Sequence, residues 1–120
     1  MIEMTPPKYG VGGITGVLHS LLPGRDRTWM PEPVQDADCV VLLIVDGLGH
    51  SAVDATMPTL NSFVGGPITS VVPSTTCAAL TSIATGVPPS QHGLVGYRFP
   101  IYGSVLNTLR WNFEDGTSPP

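Results

Sequence analysis

The run Cys39-Val40-Val41-Leu42-Leu43-Ile44-Val45, closed by Asp46-Gly47, constrains this chain more than any other feature. It is continuous in β-branched residues and Leu, with no polar alternation that would leave one face for water. Asp36-Ala37-Asp38 bounds it on one side and the Asp-Gly turn on the other. That is how a strand buried on both faces of a parallel sheet reads. A bilayer span needs about 20 apolar residues, so the run is far too short to cross a membrane.

The surrounding sequence fits the same architecture. Ile14, Val17, Leu18, Leu21 and Leu22 recur at helical spacing and stop at Pro23-Gly24, which predicts a short helix followed by a polar, proline-interrupted loop. Residues 1–37 are therefore read as a lead-in. After the apolar run, Met57, Leu60, Phe63 and Val64 have helix-compatible spacing up to Gly65-Gly66, and "PITSVV" has strand composition. Leu80, Ile83, Ala84 and Val87 then mark a second helix that begins close to Thr76 and stops at Gly86. The order β-α-β-α predicts an α/β fold, a parallel β-sheet flanked by helices with right-handed crossovers. Beyond Tyr97, turn signals at Pro100, Gly103 and Asp115-Gly116 predict strand pieces in a meander or an excursion.

With 120 residues, 42% of them hydrophobic and 12% charged, the chain has the apolar side chains for a core. Its formal charge is -4, and its five Lys and Arg are scattered, so no basic stripe exists to meet a nucleic-acid polymer or an anionic membrane. A phosphate-bearing small molecule would need a metal ion, a helix N-terminus or backbone amides instead. The opening "MIEMTPPKYG" has no basic segment followed by an apolar run, so a soluble cytoplasmic protein is expected. Cys39 and Cys77 fit a reducing compartment.

The chemistry concentrates in "VPSTTCAALTSIATGVPPSQHGLVGY", Val72 to Tyr97. In an open parallel sheet, ligands collect at the carboxyl ends of strands, where both Asp46 and the Pro73–Thr76 turn are expected. A carboxylate there is a hard ligand for a divalent cation, and a hydroxyl at a helix N-terminus beside that cation is a nucleophile. Taken singly, each feature has a plainer reading: Asp-Gly is a common turn, and Ser or Thr before a helix is the usual N-cap. The stretch "GLGHSA" matches a dinucleotide-binding pattern, but the acidic residue that would hold a ribose is missing and Asp46 would repel a pyrophosphate.

Taken in order, "VVLLIVDGLG" and "VPSTTCAALTSIATGVPPSQHGLVGY" resemble the start of the type I phosphodiesterase and nucleotide pyrophosphatase family, in the alkaline phosphatase superfamily. The resemblance implies an alkaline phosphatase-like fold, with 38–120 as the amino-terminal part of the hydrolase domain. It implies cleavage of a small phosphodiester or nucleotide substrate through a threonine nucleophile, with two zinc ions in the complete enzyme. By matching motifs, Asp46 takes the place of the first metal-binding aspartate and Thr76 that of the nucleophile, which also contacts zinc. Thr85-Gly86 and His92-Gly93 match structural positions.

Two departures from the family pattern stand out. Tyr97 occupies roughly the position of an Asn that holds the phosphoryl oxygen, and a phenol can donate the same hydrogen bond. The further Asp and His ligands that complete the metal site do not follow Tyr97, and His50 reads as a helix-surface residue. The chain is therefore expected to hold half of a site, as the amino-terminal piece of a larger hydrolase. "CAAL" after Thr76 lacks the sulfatase context, whereas a phosphonoacetate hydrolase-like enzyme stays open. So does a binding domain that kept the fold, lost the metals and self-associates through an exposed sheet edge.

A strand from Cys39 to Asp46 would be roughly 23 Å long, at about 3.3 Å per residue. Cys77 adjoins Thr76, so both thiols are expected to be free. A metal shared by Asp46 and Thr76 limits their Cα separation to about 12 Å.

Overall fold

The computed structural model describes residues 5–120. Five α-helices precede a small sheet: α1 (Ile14–Leu21), α2 (Glu32–Gln35), α3 (Pro58–Asn61), α4 (Thr76–Thr85) and α5 (Pro89–His92), then β1 (Arg98–Ile101), β2 (Ser104–Asn107) and β3 (Asn112–Phe113). Both longer helices follow the sequence signals. Leu22 leaves α1 in an extended conformation just before Pro23, and Gly86 closes α4 in the left-handed region at φ 74°.

The two helices pack on each other through small side chains. Thr15, Gly16 and Ser20 are the buried residues of α1, and Cys77, Ala78 and Ser82 those of α4. The larger apolar residues expected on these faces are half-buried or exposed, Leu18 and Leu80 among them. On α1 the loop before the helix also approaches closely: a Cβ on Gly16 would lie 2.7 Å from the Gly10 carbonyl carbon. Arg27 staples the segment after α1. Its guanidinium donates to the carbonyls of Ser20 (3.3 Å) and Leu21 (3.1 Å), acceptors that the end of α1 leaves open, and to that of Ala37 (3.0 Å) in the loop after α2.

The sheet is antiparallel, in the order β1-β2-β3. Tyr102 (φ 54°) and Gly103 (φ 75°) form the two-residue turn between β1 and β2, with Ile101 paired to Ser104. Two successive positive φ values give a turn whose twist matches that of the flanking strands. Pro100 lies in β1, an edge strand, where its missing N–H costs no ladder bond. The meander expected beyond Tyr97 is present.

The parallel sheet is a correction. Among the described residues, Cys39–Val45 forms no ladder, and Val41 and Leu43 are 89% and 82% exposed. "PITSVV" contributes one parallel bridge, Gly13 to Thr69, with Ile14 N–H on Thr69 O and Thr69 N–H on Gly12 O, both at 3.0 Å. A strand apolar on both faces is stable only between two neighbouring strands and under covering helices. The strands that do form here close locally through short turns and leave its edges unpaired. The Cα radius of gyration, 16.7 Å, exceeds the roughly 13–14 Å of a compact chain this long.

The helix expected over 51–66 is also largely absent. A 3-10 turn at His50–Ala52 and the single turn of α3 replace it. Asp54 Oδ1 accepts the N–H (2.8 Å) and the hydroxyl (2.6 Å) of Thr56, a side-chain turn that competes with helix just before Pro58.

Candidate functional site

Asp46 and Thr76 come together although 30 residues separate them. The Thr76 hydroxyl donates to Asp46 Oδ2 at 2.9 Å. Gly47, at φ 76°, makes the turn that ends the extended apolar segment at Asp46. Thr76 is the first residue of α4, and Thr75, the N-cap, makes no side-chain capping bond. The Thr76 hydroxyl is thus committed to a carboxylate across the fold rather than to its own helix terminus. Ala79 N–H bonds Thr75 O at 2.9 Å. The N–H groups ahead of it in the first turn face forward at the positive end of the helix dipole.

Tyr97 belongs to a second cluster, which abuts the first turn of α4. Its phenol oxygen accepts Asn107 Nδ2 at 2.8 Å, so the phenol proton is free to be donated elsewhere. Asn107 Oδ1 accepts the backbone N–H of Leu109 (3.2 Å) and Arg110 (3.0 Å), which fixes which end of the amide faces Tyr97. Thr108, the next residue, has its hydroxyl 2.8 Å from Cys77 Sγ. This contact sets the Tyr97–Asn107 pair beside α4. Sequence reasoning did not single out Asn107 or Thr108; the signal was the "LNT" that ends β2 before the turn.

His92 holds α5 against α4. Its Nδ1 accepts Leu94 N–H at 3.1 Å, which places the proton on Nε2, and Nε2 donates to Ser82 Oγ at 2.9 Å. A Ser–His pair is the usual sign of an activated nucleophile, but here the imidazole is the donor and Ser82 is fully buried. His50 is exposed at the start of the 3-10 turn. Both cysteines are free, Cys39 exposed and Cys77 buried.

Asp46 Oδ2 and Thr76 Oγ1 are hard oxygen donors at a spacing that fits one side of a divalent-cation site. Closing a zinc site takes three or four ligands, and the described residues hold no group of three His, Cys, Asp or Glu side chains that could do so. No helix among them is long and apolar enough to cross a membrane. The family model described as type I phosphodiesterase / nucleotide pyrophosphatase matches residues 40–115, a span that includes Asp46, Thr76, Tyr97 and Asn107. No curated protein and no solved structure matches the chain.

Proposed function

The chain belongs to the type I phosphodiesterase / nucleotide pyrophosphatase family, and on that premise we propose that it carries the nucleophile and the first metal ligand of a metal-dependent hydrolase acting on phosphodiester or pyrophosphate bonds. The family implies an alkaline phosphatase-like fold and hydrolase chemistry. The observation that carries the finer reading is the 2.9 Å contact of Thr76 Oγ1 with Asp46 Oδ2 at the first turn of α4.

In this reading, Asp46 orients the Thr76 hydroxyl by accepting its proton in a hydrogen bond. An ordinary carboxylate is too weak a base to ionise an aliphatic alcohol alone. A divalent cation on these two oxygens, when bound, supplies the missing charge stabilisation and lowers the hydroxyl's pKa. Thr76 Oγ1 attacks phosphorus, the Oγ1–P bond forms, and the bond from phosphorus to the leaving oxygen breaks. The departing alcohol or phosphate takes up a proton, and water then hydrolyses the phosphoryl-threonine. The forward N–H groups of α4 and the free phenol proton of Tyr97 are donors for the charge that builds on the phosphoryl oxygens. Asp46 and Thr76 would hold one side of such a metal site, which needs further ligands beyond these two oxygens to close. The substrate is a small molecule and the setting cytoplasmic.

Asp46→Asn in the full-length protein tests this reading. It keeps an acceptor for Thr76 and removes the charge, so hydrolysis of bis(p-nitrophenyl) phosphate is expected to collapse while the melting temperature holds. Undiminished turnover would refute it.

A further inference from the structure

Tyr102 takes a backbone position that a bulky side chain rarely adopts. Its φ of 54° lies in the left-handed region, where Gly or Asn would make the same turn with less strain, and its ring is 81% exposed. That ring lines a cleft of about 430 Å³ together with Ser104, Phe113, Asp115 and Thr117. Phe113 pairs with Leu106, two residues along β2 from Ser104, so Ser104 and Phe113 share one face of the sheet. Phe113 N–H on Thr117 O (2.7 Å) and Gly116 N–H on Phe113 O (3.0 Å) close the loop after β3. The closed loop holds the Asp115 carboxylate in the same cleft as the Phe113 ring.

We propose that this cleft binds a small quaternary ammonium ion of the choline type, held by the Tyr102 and Phe113 rings and the Asp115 carboxylate. Both bonds from Thr117 fall on Asp115 Oδ1, which leaves Oδ2 for a ligand. No Lys, Arg or His lines the cleft, so the carboxylate's charge is unopposed within it. Aromatic faces attract a cation through the ring quadrupole. A primary amine brings three N–H donors that each need an acceptor, whereas a quaternary ammonium needs none and suits apolar walls with one nearby charge. The volume is within the range of small-molecule sites.

Asp26 is the internal comparison. Its Oδ1 accepts Thr28 N–H at 2.8 Å in the same kind of turn, but Asp26 does not line this cleft. The turn alone is structural, and the two rings are what set Asp115 apart. Neither Asp46 nor Thr76 lines the cleft, so the site stands independently of the hydrolase reading.

The test titrates choline into the full-length protein, followed by ligand-observed NMR, beside its neutral carbon isostere 3,3-dimethylbutan-1-ol. Choline is expected to bind about fivefold more tightly or better, and Tyr102→Leu and Phe113→Leu each to weaken it about two- to fivefold. Asp115→Asn should bring choline down to the level of the isostere, and Asp26→Asn should leave it unchanged. Should Phe113→Leu lower the melting temperature, the exposed Tyr102 keeps the test open. Equal binding of choline and the isostere by wild type, or choline binding untouched by the three cleft variants, overturns the proposal. So does an equal loss in Asp26→Asn and Asp115→Asn, which would mean that the cation is drawn only by the chain's net charge of -4. Phosphatidylcholine vesicles form a further arm: binding to free choline alone identifies a soluble ligand, and binding to both a lipid headgroup, with the ammonium site sustained in each case.

Discussion

The Thr108 hydroxyl lies 2.8 Å from Cys77 Sγ, tying the antiparallel hairpin to the first turn of α4. The same oxygen is 2.9 Å from Gly96 O and 3.1 Å from Tyr97 O. A hydroxyl has one proton, so Thr108 donates to one carbonyl at a time while the Cys77 thiol can donate to its oxygen. The arrangement ties Tyr97 and Asn107 to α4 through Cys77, the residue after Thr76.

Thr108→Val keeps the shape and deletes these bonds, leaving the buried Cys77 thiol and the Gly96 carbonyl without the hydroxyl, while Tyr97 O keeps the backbone N–H of residue 108 at 3.0 Å. The expected cost is about 1–2 kcal/mol, read as a drop in thermal midpoint, together with a change in the near-ultraviolet circular dichroism spectrum as the hairpin loosens from α4. An unchanged midpoint and spectrum would show that the contact holds nothing.

Gly16→Ala tests the close approach of α1. Helix propensity favours Ala by roughly 0.8–1 kcal/mol, but the new Cβ would sit 2.7 Å from the Gly10 carbonyl carbon, which is backbone and cannot swing aside. Overpacking of this kind costs about 1–3 kcal/mol, so net destabilisation is expected in denaturant unfolding. A stabilised variant would mean that the Gly10 loop yields freely.

The Asp115 carboxyl is held below its usual range, first by the Thr117 hydroxyl at 2.6 Å and then by the Thr117 N–H at 2.9 Å. A folded-state pKa lowered in this way stabilises the turn above the unfolded-state value, and the contribution is lost as pH falls through the folded one. An NMR titration should place Asp115 below a free aspartate, and Thr117→Val should move it back up. A wild-type value at the ordinary position contradicts the turn.

The exposed run Val40–Val45 has the composition of an unpaired strand with two apolar faces, a template for pairing with a second copy. The 120-residue chain is expected to self-associate with rising concentration, and Leu43→Lys to shift it toward monomer in light scattering. Monomer at high concentration for the parent chain would contradict this.

What the sequence made legible was local or motif-bound. α1 and α4 follow from spacing and their Pro-Gly and Gly stops, and the Asp46–Thr76 encounter from two motifs read together. The sheet was misread because a run such as Cys39–Val45 states what a strand needs, two neighbours and two covers, without saying which residues supply them. The helix over 51–66 failed because Asp54 and Thr56 bond each other just before Pro58. Asn107 stayed hidden because its role depends on a hairpin register that pairs Arg98 with Asn107 and brings Tyr97 within reach.

The central claim is that Thr76 attacks phosphorus. Its most direct test is kcat for bis(p-nitrophenyl) phosphate in the full-length protein carrying Thr76→Ala, with the melting temperature as the control for folding. The account predicts a loss on the order of 10³-fold or more at an unchanged melting temperature, as for removal of other covalent nucleophiles. Turnover within about tenfold of wild type, at the same melting temperature, would contradict it.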